Sequence, residues 1–594
     1  MPYDSKGSTT TLTMASFLHL PDELLQEIFS YLPASSTASL GLVTKRLQKI
    51  SNAPFLWRNH VLDTWKYWEG EKEHVKRVNG SPVSPQWRTV YAERCKKDKK
   101  IAQIFDELLS TQQYRIERME RIISQFGHDA KDALLRLVAT PDHVEDVLAR
   151  RYYSEALIGL LNRQDALQIW ADMEFLDFPR LETSLGAFDT FVQGPHECDV
   201  RSLDQELDKI AQQIRNQIPG IEELDYTTRA STVSAELRRM ELLGSSEQEY
   251  HLLRNNFMCH VLQSEHRVSL PLVSTAIFCC VAQRLGLRVW LCNFPFHVHA
   301  VLESPADPPL YETRSAETLS PGVVWMDPWR HDNIIDQDAM RIQLQQHGMS
   351  TDAFYSYLSP AFTRDMVIRT GRNIMRSVNE ARDNRDEVAD QEIDVDAAFY
   401  SFLWSVFLVG LNDTRESTLQ RRNYIPYLLD QFKQHYPEDV GLVERFVLPI
   451  YAGHPAQSQL IDMINAHRAS DHTAKPVNRR YDVAGGVKFK VGQPFRHARF
   501  HYIGIVIGWD SSCQAGEPWI MQMRVDALPR GRRQSFYHIL GADKSSRYVA
   551  EENIEPLTEP PPPSLMRLAG RHFKRYDSET NMFISNIKDE YPDD

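Results

Sequence analysis

The hydrophobic residues of this chain change their spacing along its length, and this change constrains the fold more than any other feature. Over most of the first 466 residues, apolar side chains recur at steps of three and four, which predicts amphipathic helices. Beyond Val487 they alternate, most clearly over 502–509, and polar or glycine-containing turns separate the alternating runs. That pattern predicts short antiparallel strands. We therefore expect a multidomain, mainly α protein with a small antiparallel β-barrel over residues 480–558.

The composition agrees with several folded domains in one chain. A length of 594 residues corresponds to roughly four domains of about 150 residues each. The net charge of −13 argues against a whole-chain role in binding polyanions. The seven cysteines include no CxxC pair, so neither a disulfide framework nor a zinc site of that type is expected. With no secretory signal and no apolar run of about 20 residues, the sequence favours a soluble protein of the cytoplasm, the nucleus or both, with no membrane partner.

Residues 17–65 predict three short helices that follow a disordered N-terminus over 1–16. The stretch Leu20-Pro21-Asp22-Glu23 suits a helix start, because proline fits the first turn and acids fit the positive end of the helix dipole. The apolar residues that follow at helical spacing are Leu24, Leu25, Ile28, Phe29, Leu32, Leu40, Val43, Leu47, Ile50, Leu56, Trp57, Val61 and Trp65. Three helices of about ten residues are too small to bury all of these side chains. A partner surface is therefore expected.

The same segment resembles an F-box, through LPDELLQEIFSYLP, LVTKRLQKI and PFLWR. The resemblance implies binding to the Skp adaptor of a cullin–RING ubiquitin ligase. The residues that it assigns to the adaptor interface are Leu20, Pro21, Leu24, Ile28, Phe29, Leu32, Val43, Leu47 and Trp57. The alternative is a helical N-terminal cap on the next domain.

A distinctive segment follows a long helical stretch that begins near Lys96. A helix is expected from Pro271 to about Leu285, with Gly286 ending it, and two short apolar runs behind it suit buried strands. His297 and His299 stand at the start of the second strand. A helix followed by two strands with a histidine is the layout of papain-like and transglutaminase-like cores, where the nucleophile begins the helix and the base lies on the strand.

This segment resembles the transglutaminase-like family, within a helical and α+β core over 96–378. The family's order is Cys, His, Asp, and His297 and Asp327 fall where the last two belong. No cysteine stands near Ser269, where the first belongs. The resemblance therefore implies a degenerate site, with His297, Asp327 and Ser269 as its remnants, and a chain that is not an enzyme.

Three other possibilities remain at this core. The cysteines at 259, 279, 280 and 292 suit buried structural positions rather than a nucleophile. A serine nucleophile at Ser269 or Ser274, with His297 as its base, is conceivable. His297, His299 and Asp327 could form a two-histidine, one-carboxylate metal face, but a structural role is favoured, so we expect no metal and no cofactor.

Two further segments complete the helical part. Residues 379–396 hold eight acids and two arginines, which indicates a solvated acidic linker. A helical extension is expected over 397–466. Residues 559–594 are expected to form a Pro-rich segment and tail.

The predicted barrel resembles the hemimethylated-DNA-binding-like domain of bacteria, through FKVGQPFRHARFHYIGIVIGWD, QSFYHILGAD and RYVAEENIEPL. Its candidate ligand-binding residues are His497, Tyr502, Trp509, Tyr537, His538 and Tyr548, of which alternation allows about two of the four large aromatics to be core. Ten basic against seven acidic residues over 486–557, with Arg530, Arg532 and Arg533 close together, is a small excess for phosphate binding. Protein recognition is favoured over nucleic-acid binding.

The order of the three segments resembles the F-box only protein 21 family. It implies the substrate-recognition subunit of an SCF ubiquitin ligase, which binds the adaptor and cullin–RING ligase through the F-box and protein substrates through the core and barrel. The alternatives are a transglutaminase-like hydrolase, or a DNA-associated module, that docks to the ligase.

Overall fold

The computed structural model of the chain describes residues 20–70, 87–176, 179–192, 194, 200–244, 250, 252–265, 267–295, 297–307, 322–350, 354–383, 393–410, 415–483, 486–586 and 589–594. The N-terminus predicted to be disordered lies outside these ranges. Within them, no helix combines the length and the apolar character that crossing a bilayer requires. The chain divides into two compact units, one formed by residues 1–154 with 471–594 and the other by residues 155–470.

The first unit begins with four short helices where the sequence predicted three. They are α1 (Asp22–Ser30), α2 (Ala34–Leu40), α3 (Lys45–Ser51) and α4 (Pro54–Thr64). The predicted second helix is divided because the Thr44 side chain accepts a hydrogen bond from the amide of Leu47 and so begins a new helix. These helices enclose a core of Leu25, Phe29, Leu47, Ile50 and Leu56.

Four further helices follow, α5 (Trp87–Ser110), α6 (Arg115–Phe126), α7 (Lys131–Val138) and α8 (Val147–Asp172). The last of them begins in the first unit and continues into the second. A cluster of Trp57, Val61, Trp65, Trp68 and Trp87 packs α4 against α5. The chain that leaves α4 is also fixed by polar contacts. Asp132 accepts hydrogen bonds from the amides of Lys66 and Tyr67, and the buried Arg94 pairs with Asp129.

The second part of this unit is an antiparallel sheet, here called the C-terminal sheet domain (residues 486–594). Its strands are β5 (Pro494–His497), β6 (Ile503–Asp510), β7 (Phe536–Gly541), β8 (Ser546–Ala550) and β9 (Ile554–Pro556), in the order β8-β7-β6-β5-β9. The antiparallel character is confirmed, and in this order β8 and β9 are the two ends of an open sheet. Beyond residue 558, the structure contains a helix (Pro563–Ala569) and a hairpin of β10 (Phe573–Asp577) and β11 (Met582–Ser585), which the predicted Pro-rich segment and tail did not include.

The second unit is mainly helical around a small sheet of β1 (Val289–Leu291), β2 (Ala300–Leu302), β3 (Val324–Met326) and β4 (Ile334–Ile335), in that order. Its principal helices are α9 (Leu181–Gly186), α10 (Asp189–Val192), α11 (Val200–Gln217), α12 (Tyr226–Arg239), α13 (Met258–Gln263), α14 (Pro271–Arg284), α15 (Gln337–Gln346), α16 (Phe354–Leu358), α17 (Thr363–Asp383), α18 (Val395–Leu408), α19 (Arg415–His435) and α20 (Ala456–His472), the last of which ends in the first unit. Short helical turns occupy 437–451. Of the predicted acidic linker, residues 379–383 end α17, and 384–392 lie outside the described residues.

Candidate functional site

Helix α14 and the strands behind it form the layout that the sequence predicted. Pro271 stands in the first turn of α14, and Gly286, with φ of 79°, follows its end. Strands β2 and β3 are antiparallel, with Ala300 opposite Met326. His297 lies just before β2 and Asp327 just after β3, so this register brings the two residues to the same end of the sheet.

The predicted histidine and aspartate do meet. His297 Nε2 lies 2.8 Å from Asp327 Oδ2, and Arg330 Nη1 lies 3.3 Å from the same oxygen. Burial alone would raise the pKa of Asp327, but the contact with His297 and the nearby positive charges outweigh it and hold that pKa below its ordinary value. The pair therefore consists of an ionised carboxylate beside a half-buried imidazole.

The second histidine of the segment, His299, lies in a buried environment. His299 is buried, its Nδ1 lies 3.2 Å from the carbonyl oxygen of His297, and its ring packs edge-on against Phe294. Burial lowers the pKa of His299 to about 4. In the described part of the chain, no group of three histidine, cysteine or acidic side chains is placed to hold a metal ion.

The serines at the start of α14 bond to each other instead of to a base. Ser269 Oγ and Ser274 Oγ are 2.6 Å apart, both residues are fully buried, and the amide of Gly244 donates to Ser274 Oγ. Trp329 donates from Nε1 to the carbonyl oxygen of Ser269. Across the residues that the structure describes, no hydrogen bond joins either hydroxyl to His297. The geometry thus lacks the contact between nucleophile and base that a triad needs.

Cys279, Cys280 and Cys292 are buried and neutral. Burial raises the pKa of the Cys292 thiol to about 12, and it raises the pKa values of Cys279 and Cys280 further still. Cys259 is also fully buried. Cys279, Cys280 and Cys292 therefore lack the environment that produces a reactive thiolate.

The nine residues predicted for the adaptor interface separate into exposed and buried sets. Pro21, Leu24, Ile28 and Val43 are exposed, and Leu20 and Leu32 are half-buried. The prediction was wrong for Phe29, Leu47 and Trp57, because these three side chains fill the helical core. Sequence reasoning missed Tyr31, Leu42 and Phe55, which are exposed apolar side chains in the same segment. Leu24, Ile28 and Tyr31 follow one another at steps of four and three and so share a face of α1.

The predicted ligand residues of the C-terminal sheet domain also divide. The assignment of Trp509, Tyr537 and His497 to a binding surface was wrong, because all three are buried. Tyr537, for example, donates to Glu551 Oε2 at 3.0 Å. The remaining three stay candidates: Arg547 covers the half-buried ring of Tyr502, and the exposed His538 and the half-buried Tyr548 both contact Asp510. As the alternation allowed, two of the four large aromatics are core.

The arginine cluster of this domain is largely neutralised by nearby acids. Arg532 bonds to both Glu517 and Asp526, and Arg530 pairs with Glu551. Phosphate binding needs cations that are free to face the ligand. These pairs therefore weigh against a nucleic-acid site at the arginine loop.

Comparison with family models identifies three segments in the predicted order. Residues 17–63 match the F-box-like model, residues 201–372 match the transglutaminase-like superfamily, and residues 487–580 match the family described as hemimethylated DNA-binding protein YccV like. The chain therefore combines an F-box-like segment, a transglutaminase-like core and a YccV-like domain, which is the architecture that the sequence predicted.

The chain is similar to proteins named F-box only protein 21, as the sequence predicted. It is 24% identical to that of Pongo abelii over 356 residues, which cover 59% of this chain and 52% of the relative. It is 31% identical over 135 residues to those of Mus musculus and Homo sapiens, which is 21% of each chain. The matched region thus spans about half or less of the length of these relatives. No solved structure matches the chain significantly.

Proposed function

We propose that this protein is the substrate-recognition subunit of an SCF ubiquitin ligase in the cytoplasm, the nucleus or both. It binds the Skp adaptor through the F-box-like segment, and it binds protein substrates through the transglutaminase-like core and the C-terminal sheet domain. The observation that carries the proposal is the set of exposed apolar side chains on α1 and on the loop between α2 and α3.

These exposed side chains do not serve the fold of the segment. Leu25, Phe29 and their neighbours complete the core of α1 to α4, which leaves Leu42 in solvent and Leu24 and Ile28 partly exposed. Large apolar side chains that remain exposed outside a complete core are typical of a surface that binds the apolar groove of a partner protein. The likeness of the segment to F-boxes supports the Skp adaptor as that partner.

The proposed role of the core is binding without catalysis. His297 and Asp327 are in contact, but the serines at the start of α14 bond to each other and the nearby thiols stay protonated. An imidazole without a nucleophile cannot start acyl transfer. The polar pair therefore remains available only as a recognition feature.

The proposal is tested by co-assembly of the purified full chain with the Skp adaptor and cullin on a sizing column. Leu42→Glu places a charge at a side chain that is 85% exposed, so the fold should survive while adaptor binding is lost. Phe175→Glu is the matched control, because Phe175 is 81% exposed in the second unit. Equal co-assembly of both variants would contradict the proposal.

A further inference from the structure

We propose that the C-terminal sheet domain contains a socket for acidic peptides with an aromatic side chain, and that residues 589–594 of this chain fill it. The socket is formed by Val491, Gly508 and Trp509 of this domain, together with Asn478 and Arg480 from the segment before it. That such peptides belong to ligase substrates rests on the proposed function, whereas the binding site itself is argued from geometry alone.

The first part of the socket is an anion site around Asp594, whose side chain is fully buried. Arg480 Nη1 lies 2.8 Å from Oδ1, and the amide of Val491 and Nε1 of Trp509 donate to Oδ2 at 3.1 and 3.0 Å. A buried carboxylate is tolerated only when its oxygens are fully paired. The guanidinium of Arg480, which precedes the domain, and two N–H groups from two separate parts of the domain meet this condition.

The second part is a hole for a phenol ring in strand β6. The ring of Tyr591 is buried with its centroid 5.6 Å from that of Trp509, and the amide of Trp509 donates to its hydroxyl at 3.3 Å. A Cβ atom at Gly508 would lie 2.6 Å from that hydroxyl. Glycine inside a strand weakens the strand and often marks a close approach. Here the missing side chain makes room for Tyr591.

The third part is a group of positively charged residues over 475–480, before the sheet, which lies against the acidic segment 589–594. The amide of Asn478 donates to the carbonyl oxygen of Glu590 at 2.7 Å, and the amide of Arg480 donates to Asp593 at 3.0 Å. Lys475 and Arg479 pair with the same two acids. Three cations over 475–480 therefore face a segment that holds four acids in its six residues.

The segment 589–594 adds the ring of Tyr591 to the hydrophobic core of the domain, but it is held there by side-chain and backbone contacts and not as an element of the sheet. It forms neither a strand nor a helix, and the ladders from β5 to β9 are made without it. Its contacts are an aromatic ring in a hole, a carboxylate in an anion site and flanking acids against cations. These are features that a separate peptide can present, and a tethered segment at a millimolar effective concentration masks the socket until a stronger peptide displaces it.

The test uses the full chain and a fluorescent peptide with the sequence of residues 589–594. In one variant, Tyr591→Ala with Asp594→Ala, the tethered segment loses its two anchors. We expect this vacated variant to bind the peptide at least tenfold more tightly than the wild-type chain does, by fluorescence anisotropy. Adding Gly508→Ala fills the hole for the ring and should abolish the gain, and a peptide with alanine in place of tyrosine should bind weakly to every variant.

Folding is monitored in the same samples. If the vacated variant melts at a lower temperature, peptide added in trans should raise its melting temperature, and a failure of both rescue and binding up to about 1 mM peptide would overturn the proposal. Adaptor binding is measured in parallel. The vacated variant should keep adaptor binding, whereas Leu42→Glu should lose adaptor binding without altering peptide binding. The two measurements therefore test the socket and the proposed ligase role independently.

Discussion

The adaptor interface makes a quantitative prediction for the double variant Leu24→Ala with Ile28→Ala. In the free chain Leu24 is 48% exposed and Ile28 is 36% exposed, so docking can remove only these fractions from water. Complete burial of such a side chain is worth about 1.5 to 3 kcal/mol. The exposed fractions then contribute about 1.3 to 2.5 kcal/mol together, which weakens adaptor binding roughly tenfold to seventyfold.

The assay is titration of the purified adaptor against the full-length chain by calorimetry, with thermal unfolding of each variant alongside. The matched control is Leu176→Ala with Ile342→Ala, since these two side chains are similarly exposed in the second unit. We expect the control to bind as the wild type does and both variants to melt at nearly the wild-type temperature. An unchanged Kd for the Leu24 and Ile28 variant, with the fold intact, would refute the proposed interface.

Four further predictions concern the core and the C-terminal sheet domain. Serine- and thiol-reactive probes should label the folded chain at background level, and His297→Ala should leave ubiquitination of substrates largely intact; stoichiometric labelling that depends on His297 would contradict this. Because burial lowers the pKa of His299 to about 4, the unfolded chain takes up the proton first as the pH falls. In denaturant titrations, the wild type should therefore lose about 1.5 kcal/mol more stability between pH 6.5 and 5 than His299→Gln loses. Duplex DNA should bind Arg532→Ala and the wild type equally weakly in anisotropy assays, since this arginine is already paired. Gly570→Ala should reduce the free energy of unfolding by about 1 to 3 kcal/mol, because its Cβ would collide with the backbone of α8. A lower melting temperature would show this loss.

The contact between His297 and Asp327 could be predicted from the sequence because short, neighbouring segments determine it. A helix that starts at Pro271, a hairpin register and two strand ends are enough to bring His297 and Asp327 together. Their neighbours could not be predicted in the same way. The bond between Ser269 and Ser274, and the amide of Gly244 that supports it, depend on how a distant loop packs against α14.

The adaptor residues were only partly predictable for a geometric reason. Helix α1 has two adjacent apolar stripes, one with Leu24 and Ile28 and the other with Leu25 and Phe29. Spacing identifies both stripes as apolar, but only tertiary packing decides that Leu25 and Phe29 face the core. Residues 589–594 were less predictable still, because a short acidic segment has no periodicity and its partners lie about a hundred residues earlier in the chain.

The proposed adaptor and substrate sites of the first unit are parts of one packed body. Leu148 of helix α8 packs against the hydrophobic core of the C-terminal sheet domain, and Tyr153 donates to the carbonyl oxygen of Arg571 at 3.0 Å. Through Trp57 and Trp87, the same helical region is packed against the F-box-like segment. A peptide in the proposed socket would therefore be held in a defined position relative to the adaptor. It also follows that deleting the sheet domain would expose the apolar surface of α8, so point variants in the socket separate substrate binding from folding where a deletion cannot.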